Sequence, residues 1–118
     1  MSLTIYHNPR CSKSRKTLEI IQEAGTEPAI VLYLQDTPPA AEILDIADKL
    51  GKAVADLLRR GESQFKEADD LPDLGDDAAL AAWLEKHPSV LERPIVVDTA
   101  SGKAVIGRPP ENVTALVS

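Results

Sequence analysis

The chain has 118 residues, 43% of them hydrophobic and 27% charged, with a formal net charge of −6. This length and balance predict one soluble globular domain that can bury a core without disulfides or metal. One cysteine excludes an internal disulfide framework, no apolar run approaches a membrane span, and the acidic balance argues against a nucleic-acid partner. The acidity itself is local: residues 62–77 hold seven acids and one base, Lys66, which accounts for the whole net charge. These acids read as a solvated face or loop.

In chain order, Leu3 to Tyr6 is a short apolar stretch that predicts a buried strand. Asn8-Pro9 marks a turn, and a helix follows over residues 12–24, capped by Ser12 or its neighbour. Thr17, Leu18, Ile21 and Ala24 form its inner stripe, and Gly25 stops it. Residues 30–34 are apolar on both faces, which predicts an interior strand of a mixed or parallel sheet. Strand, helix and strand make a right-handed βαβ unit.

Thr37-Pro38-Pro39 starts the next helix, with Ile43, Leu44, Ala47 and Leu50 at helical spacing and Gly51 as its stop. Val54, Leu57 and Leu58 form a short helical turn before Arg59-Arg60-Gly61. Asp76-Asp77 opens a further helix with an apolar face of Leu80, Trp83 and Leu84. His87-Pro88 closes this helical insertion, which spans about residues 38–90. Arg93-Pro94 leads into a strand over 95–97, Ser101-Gly102 turns the chain, and 104–106 form a fourth strand. Gly107-Arg108-Pro109-Pro110-Glu111 introduces a last helix over 112–117. The order β-α-β, helical insert, β-β-α predicts an α/β domain over residues 1–118, with helices flanking a four-stranded mixed sheet. A thiol at the first β-to-α turn makes this the thioredoxin/glutaredoxin-like arrangement.

That thiol is Cys11, with Arg10, Lys13, Arg15 and Lys16 within five residues of it. A helix N-terminus carries partial positive charge and unpaired N–H groups, and both favour a thiolate. The thiol pKa is therefore expected below the ordinary value of roughly 8.5, and the same N–H groups can hold an oxyanion. Cys11 reads as a nucleophile whose substrate is an anion. A reactive unpaired thiol and the absence of an N-terminal signal pattern predict a reducing cytoplasm. Two histidines and one cysteine scattered in this way make no zinc spacing.

Four separated blocks carry a family resemblance. Tyr6-His7-Asn8-Pro9-x-Cys11-x-x-Ser14-Arg15, Leu57-Leu58-Arg59, Glu92-Arg93-Pro94-Ile95-Val96-Val97 and Ile106-Gly107-Arg108-Pro109 together resemble the glutaredoxin-coupled arsenate reductases. The resemblance implies that Cys11 is the nucleophile and that His7 helps to keep it ionised. It implies that Ser14 bonds the thiolate, with Asn8 beside it in the substrate site, and that Arg59, Arg93 and Arg108 surround the oxyanion. It implies a cis-proline turn at Arg93-Pro94. It further implies arsenate as substrate, glutathione as co-substrate and glutaredoxin as partner, with no bound cofactor. No apolar surface patch can be identified in the sequence, so a monomer is expected. Arg10, Ser12 and Lys13 depart from the smaller, uncharged residues of the well-characterised members, and the resemblance is closer to a chromosomal branch.

Other readings stand beside this one. The same arginines fit a glutathione-dependent reductase of mixed disulfides, where they would bind carboxylates. A third reading is a non-catalytic regulator that binds a protein partner, although the Cys-x-x-Cys switch of redox-sensing regulators is absent because Ser14 holds the second position.

Overall fold

The computed structural model describes residues 2–92 and 94–117. The chain divides into two compact units: one formed by its two ends, up to Asp36 and after Glu92, and one formed by Thr37–Glu92.

The first unit holds the sheet. Its strands are β1 (Leu3–Tyr6), β2 (Ala29–Val31), β3 (Ile95–Asp98) and β4 (Lys103–Ile106), in the order β2-β1-β3-β4. Helix α1 (Ser12–Glu23) connects β1 to β2, which pair in parallel, while β1–β3 and β3–β4 are antiparallel. The register brings Val31, Tyr6, Ile95 and Ile106 side by side at one end of the sheet. The loops that leave this end carry the chemistry.

Alternation along the strands decides the core. Leu3 and Ile5 of β1 and Val96 of β3 share a face and bury against Ile21 of α1. Val113 and Leu116 close the cluster from a 3-10 turn (Pro110–Val113) and the short helix Thr114–Val117 that continues it. Gly25, at φ +86, ends α1 in the left-handed region that a glycine tolerates best. The buried residues of α1 are Ser14, Thr17 and Ile21; Ala24, expected in the stripe, is exposed.

The segment after α1 differs from expectation. β2 covers only Ala29–Val31 and lies at the sheet edge, and Ile30 is 48% exposed. Residues 32–35 form a turn, with the amides of Gln35 and Asp36 both donating to the Leu32 carbonyl at 2.8 Å. An apolar run reads the same in a central strand and at an edge; only the order of the strands separates them.

The second unit is helical. It comprises α2 (Ala40–Leu50), a 3-10 turn (Val54–Leu57), the short α3 (Ser63–Lys66), α4 (Asp77–Lys86) and a 3-10 turn (Pro88–Val90). α2 packs on α4. Ile43, Ile46 and Ala47 are its buried positions, so Ile46 takes a place expected of Leu44. Gly51, at φ +68, ends α2 as expected. Asp76 caps α4 by accepting a hydrogen bond from the Ala79 amide, and Leu80, Trp83 and Leu84 are buried. The Trp83 indole donates to Asp70 at 3.0 Å and stacks on His87. An antiparallel bridge between Leu58 and Leu91 sets Arg59 beside Glu92. After β4, the last helix is α5 (Thr114–Val117), so the predicted helix over 112–117 begins as the 3-10 turn and becomes α-helical only at Thr114.

Two substitutions check this account of the first unit. Ile21 is fully buried in the cluster, so Ile21→Ala should cost about 2–5 kcal/mol of unfolding free energy in urea titrations. At Gly107 an added Cβ would lie 2.5 Å from Thr17 Oγ1 and 2.8 Å from Pro94 Cγ. Gly107→Ala should therefore lower the thermal midpoint, although an exposed glycine such as Gly61 should tolerate the same change.

Candidate functional site

Cys11 is the N-cap of α1, with φ −93° and ψ 121°. Its carbonyl accepts the first helical hydrogen bond, from the Arg15 amide at 3.0 Å, and its own amide donates to the Asn8 carbonyl at 3.0 Å. The half-buried thiol thus sits ahead of the first helical turn, whose N–H groups have no intrahelical partners by the geometry of the helix.

Asn8 shapes the approach to it. Its Oδ1 accepts from the Arg10 amide at 3.0 Å, a local turn that short polar side chains favour. Its amide donates to Ser14 Oγ at 3.1 Å. Ser14 Oγ also lies 2.7 Å from His7 Nδ1, so Asn8, Ser14 and His7 form one buried polar cluster. Arg15 ties the loop from outside by donating to the Pro9 carbonyl at 3.0 Å.

Burial, and then the charge of Arg15, lower the pKa of His7 from its ordinary 6.5. At neutral pH His7 is an uncharged hydrogen-bonding partner of Ser14. The fixed positive charge at the thiol comes instead from Arg108, whose Nη2 lies 3.5 Å from Cys11 Sγ.

Sequence reasoning missed how Arg108 is held. Gly107 donates to the Pro94 carbonyl at 2.9 Å, and its own carbonyl lies 3.5 Å from Thr17 Oγ1 of α1. Asn112 Nδ2 donates to the carbonyls of Ile106 and Arg108, at 3.1 and 3.2 Å. The sequence signal was the glycine before Arg108, where the contacts of Thr17 and Pro94 leave no room for a Cβ. The cis peptide bond found among the described residues is Arg108-Pro109.

Arg59 lies in the second unit, where its Nε and Nη1 pair with Glu62 at 3.3 Å and Glu92 at 3.1 Å. Arg93, and with it the expected cis turn at Arg93-Pro94, lies outside the described residues. Among the described residues no group of three or more His, Cys, Asp or Glu side chains is placed to hold a metal. No described helix is long and apolar enough to cross a membrane.

The neutral state of His7 has a pH consequence. The unfolded chain takes up this proton before the folded one as pH falls. The corresponding stability is complete above about pH 6.5 and is lost as pH falls through the lower folded value. Urea midpoints measured across this range should fall more steeply for the parent chain than for His7→Asn; equal slopes would show that His7 is not held neutral.

Residues 6–116 match the ArsC family. An arsenate reductase of Neisseria meningitidis serogroup A is 45% identical over 117 residues, which cover 98% of this chain and 97% of that protein. The uncharacterized protein YfgD of Escherichia coli K12 is 47% identical over 116 residues, or 96% and 94% of the two chains. Among solved structures, an arsenate reductase from Vibrio cholerae is similar with a TM-score of 0.86 at 40% identity, over 98% of this chain and 97% of that one. The mixed four-stranded sheet with its helices is the thioredoxin-like fold of these neighbours. Its sequence and its fold agree across nearly the whole length, and the chain belongs to the ArsC family.

Proposed function

We propose that this protein is an arsenate reductase in which Cys11 is the nucleophile and glutathione with glutaredoxin restores the thiol. One contact carries the reading: the Arg108 guanidinium beside Cys11 Sγ at the mouth of α1. Relatives named arsenate reductases over almost the whole chain support it.

Arsenate at neutral pH is a tetrahedral oxyanion. Attack by a thiolate brings two anions together, so fixed positive charge and donors at the meeting point lower the barrier. Arg108 supplies a planar fork of donors that stays charged. The first-turn amides of α1 supply more. Cys11 Sγ forms a bond to arsenic, and one arsenate oxygen departs as water.

The chain has no second cysteine, so the adduct is resolved from outside. An incoming thiolate attacks Sγ and forms an S–S bond. The S–As bond breaks with its electron pair left on arsenic, which passes from the +5 to the +3 state and leaves as arsenite. A further thiol then cleaves the mixed disulfide at Cys11. Thiols supply both electrons, so the cycle needs no resident cofactor, and it suits a monomeric protein of a reducing cytoplasm.

In this reading Arg59 and Arg93 add donors around the oxyanion. Asn8 and Ser14 fix the loop that presents the thiol. Neutral His7 orients Ser14 by a hydrogen bond and adds no charge of its own.

The deciding assay is arsenate-dependent NADPH oxidation with glutathione, glutaredoxin and glutathione reductase. Cys11→Ser should abolish turnover. Arg108→Ala should lower kcat/KM for arsenate by about 10²-fold or more with the fold intact by circular dichroism. No turnover in the parent chain, with Cys11 still open to alkylation, would instead favour a reductase of mixed disulfides. The alkylation rate of Cys11 should show a thiol pKa below roughly 8.5, and Arg108→Ala should raise it.

A further inference from the structure

We infer that the resolving thiol docks on the β2 side of Cys11, as a small carboxylate-bearing peptide thiol whose carboxylate is gripped by Arg10. The inference rests on the reductase reading above and names where its second substrate binds.

A cleft of about 160 Å³ opens between the loop His7-Asn8-Pro9-Arg10 and the turn residues Leu32, Leu34 and Gln35. It is smaller than the roughly 300–1,000 Å³ of pockets that enclose a drug-sized ligand, so it holds one end of a ligand. Its loop wall includes Arg10, the residue before Cys11, so a ligand longer than the cleft can extend from it toward the thiol.

The lining suits one end of a peptide that carries an acid. Leu34 is 45% exposed and, with Ile30 of the same segment, makes up the large exposed hydrophobics among the described residues. Gln35 adds an amide, and no carboxylate lines the cleft. Arg10 is exposed, and the ion pairs among the described residues engage Lys16, Lys49 and Arg59 instead. Asn8 fixes the Arg10 backbone, and the Arg15 guanidinium on the Pro9 carbonyl adds a second positive charge to the same loop. An anionic ligand is the charge complement of this wall.

Strand order supplies the direction. The sheet runs β2-β1-β3-β4, and Cys11 follows β1. Arg108 follows β4, so it reaches Sγ from the β3–β4 side and draws the oxyanion there. Displacement at sulfur is in line: the incoming sulfur meets Sγ opposite the departing arsenic. The side opposite Arg108 is the β2 side, where the cleft lies.

The test separates docking from turnover. S-methylglutathione, which cannot react, is titrated into the labelled protein and amide spectra are followed. The Asn8, Arg10, Leu34 and Gln35 signals should move together and saturate, and Arg10→Glu should weaken binding by about tenfold, the scale of one lost charge-assisted hydrogen bond. In the arsenate assay, Arg10→Glu should lower kcat/KM for glutathione about tenfold relative to that for neutral 2-mercaptoethanol, a ratio that cancels any effect on Cys11 itself. Absent saturation, signals moving on another face, or an unchanged ratio would each overturn the proposal, as would a response to glutaredoxin alone. Saturation at the cleft in a protein that does not reduce arsenate would sink the reductase reading and leave the thiol site standing.

Discussion

The contact between the Arg108 guanidinium and Cys11 Sγ joins two residues 97 positions apart. It exists because the C-terminal ends of β1 and β4 lie at the same end of one sheet, with β3 between them. The nucleophile, its charge partner and the first-turn amides of α1 depend on that register. A slip of one residue would turn each strand's buried face outward and carry Arg108 away from the thiol.

Rigidity around this contact comes from small, specific groups. Gly107 lets the β4 end approach α1 closely enough for its carbonyl to meet Thr17. Asn112 bridges the carbonyls on either side of Gly107 and Arg108. Across the sheet, Asn8, Ser14 and His7 hold the β1–α1 loop with buried hydrogen bonds. A buried polar cluster of this type keeps a single geometry because each broken bond leaves a desolvated group behind. The neutral state of His7 belongs to the same economy: a charge in that cluster would be costly beside Arg15.

The helical unit contributes a different kind of arginine. Arg59 is pinned by Glu62 and Glu92, and the Leu58–Leu91 bridge sets that geometry. Two carboxylates fix where the guanidinium points and offset its charge. Arg108 lies against a thiol, a group that changes charge during the proposed reaction.

Much of the fold was legible in the residues. Short apolar stretches at Leu3–Tyr6 and around Val96, helical stripes ending at Gly25 and Gly51, and the acids that open α4 are local signals, and local backbone physics reads them directly. Cys11 at a strand-to-helix junction was legible for the same reason. Tertiary structure decided the rest. It made the apolar run at 30–34 an edge strand and a turn, because strand neighbours are chosen by the whole sheet. It held His7 neutral by burying it, which composition does not express. It set Arg108 beside the thiol, since charge and spacing announce a basic residue but only the register of four strands brings a particular one to a particular sulfur.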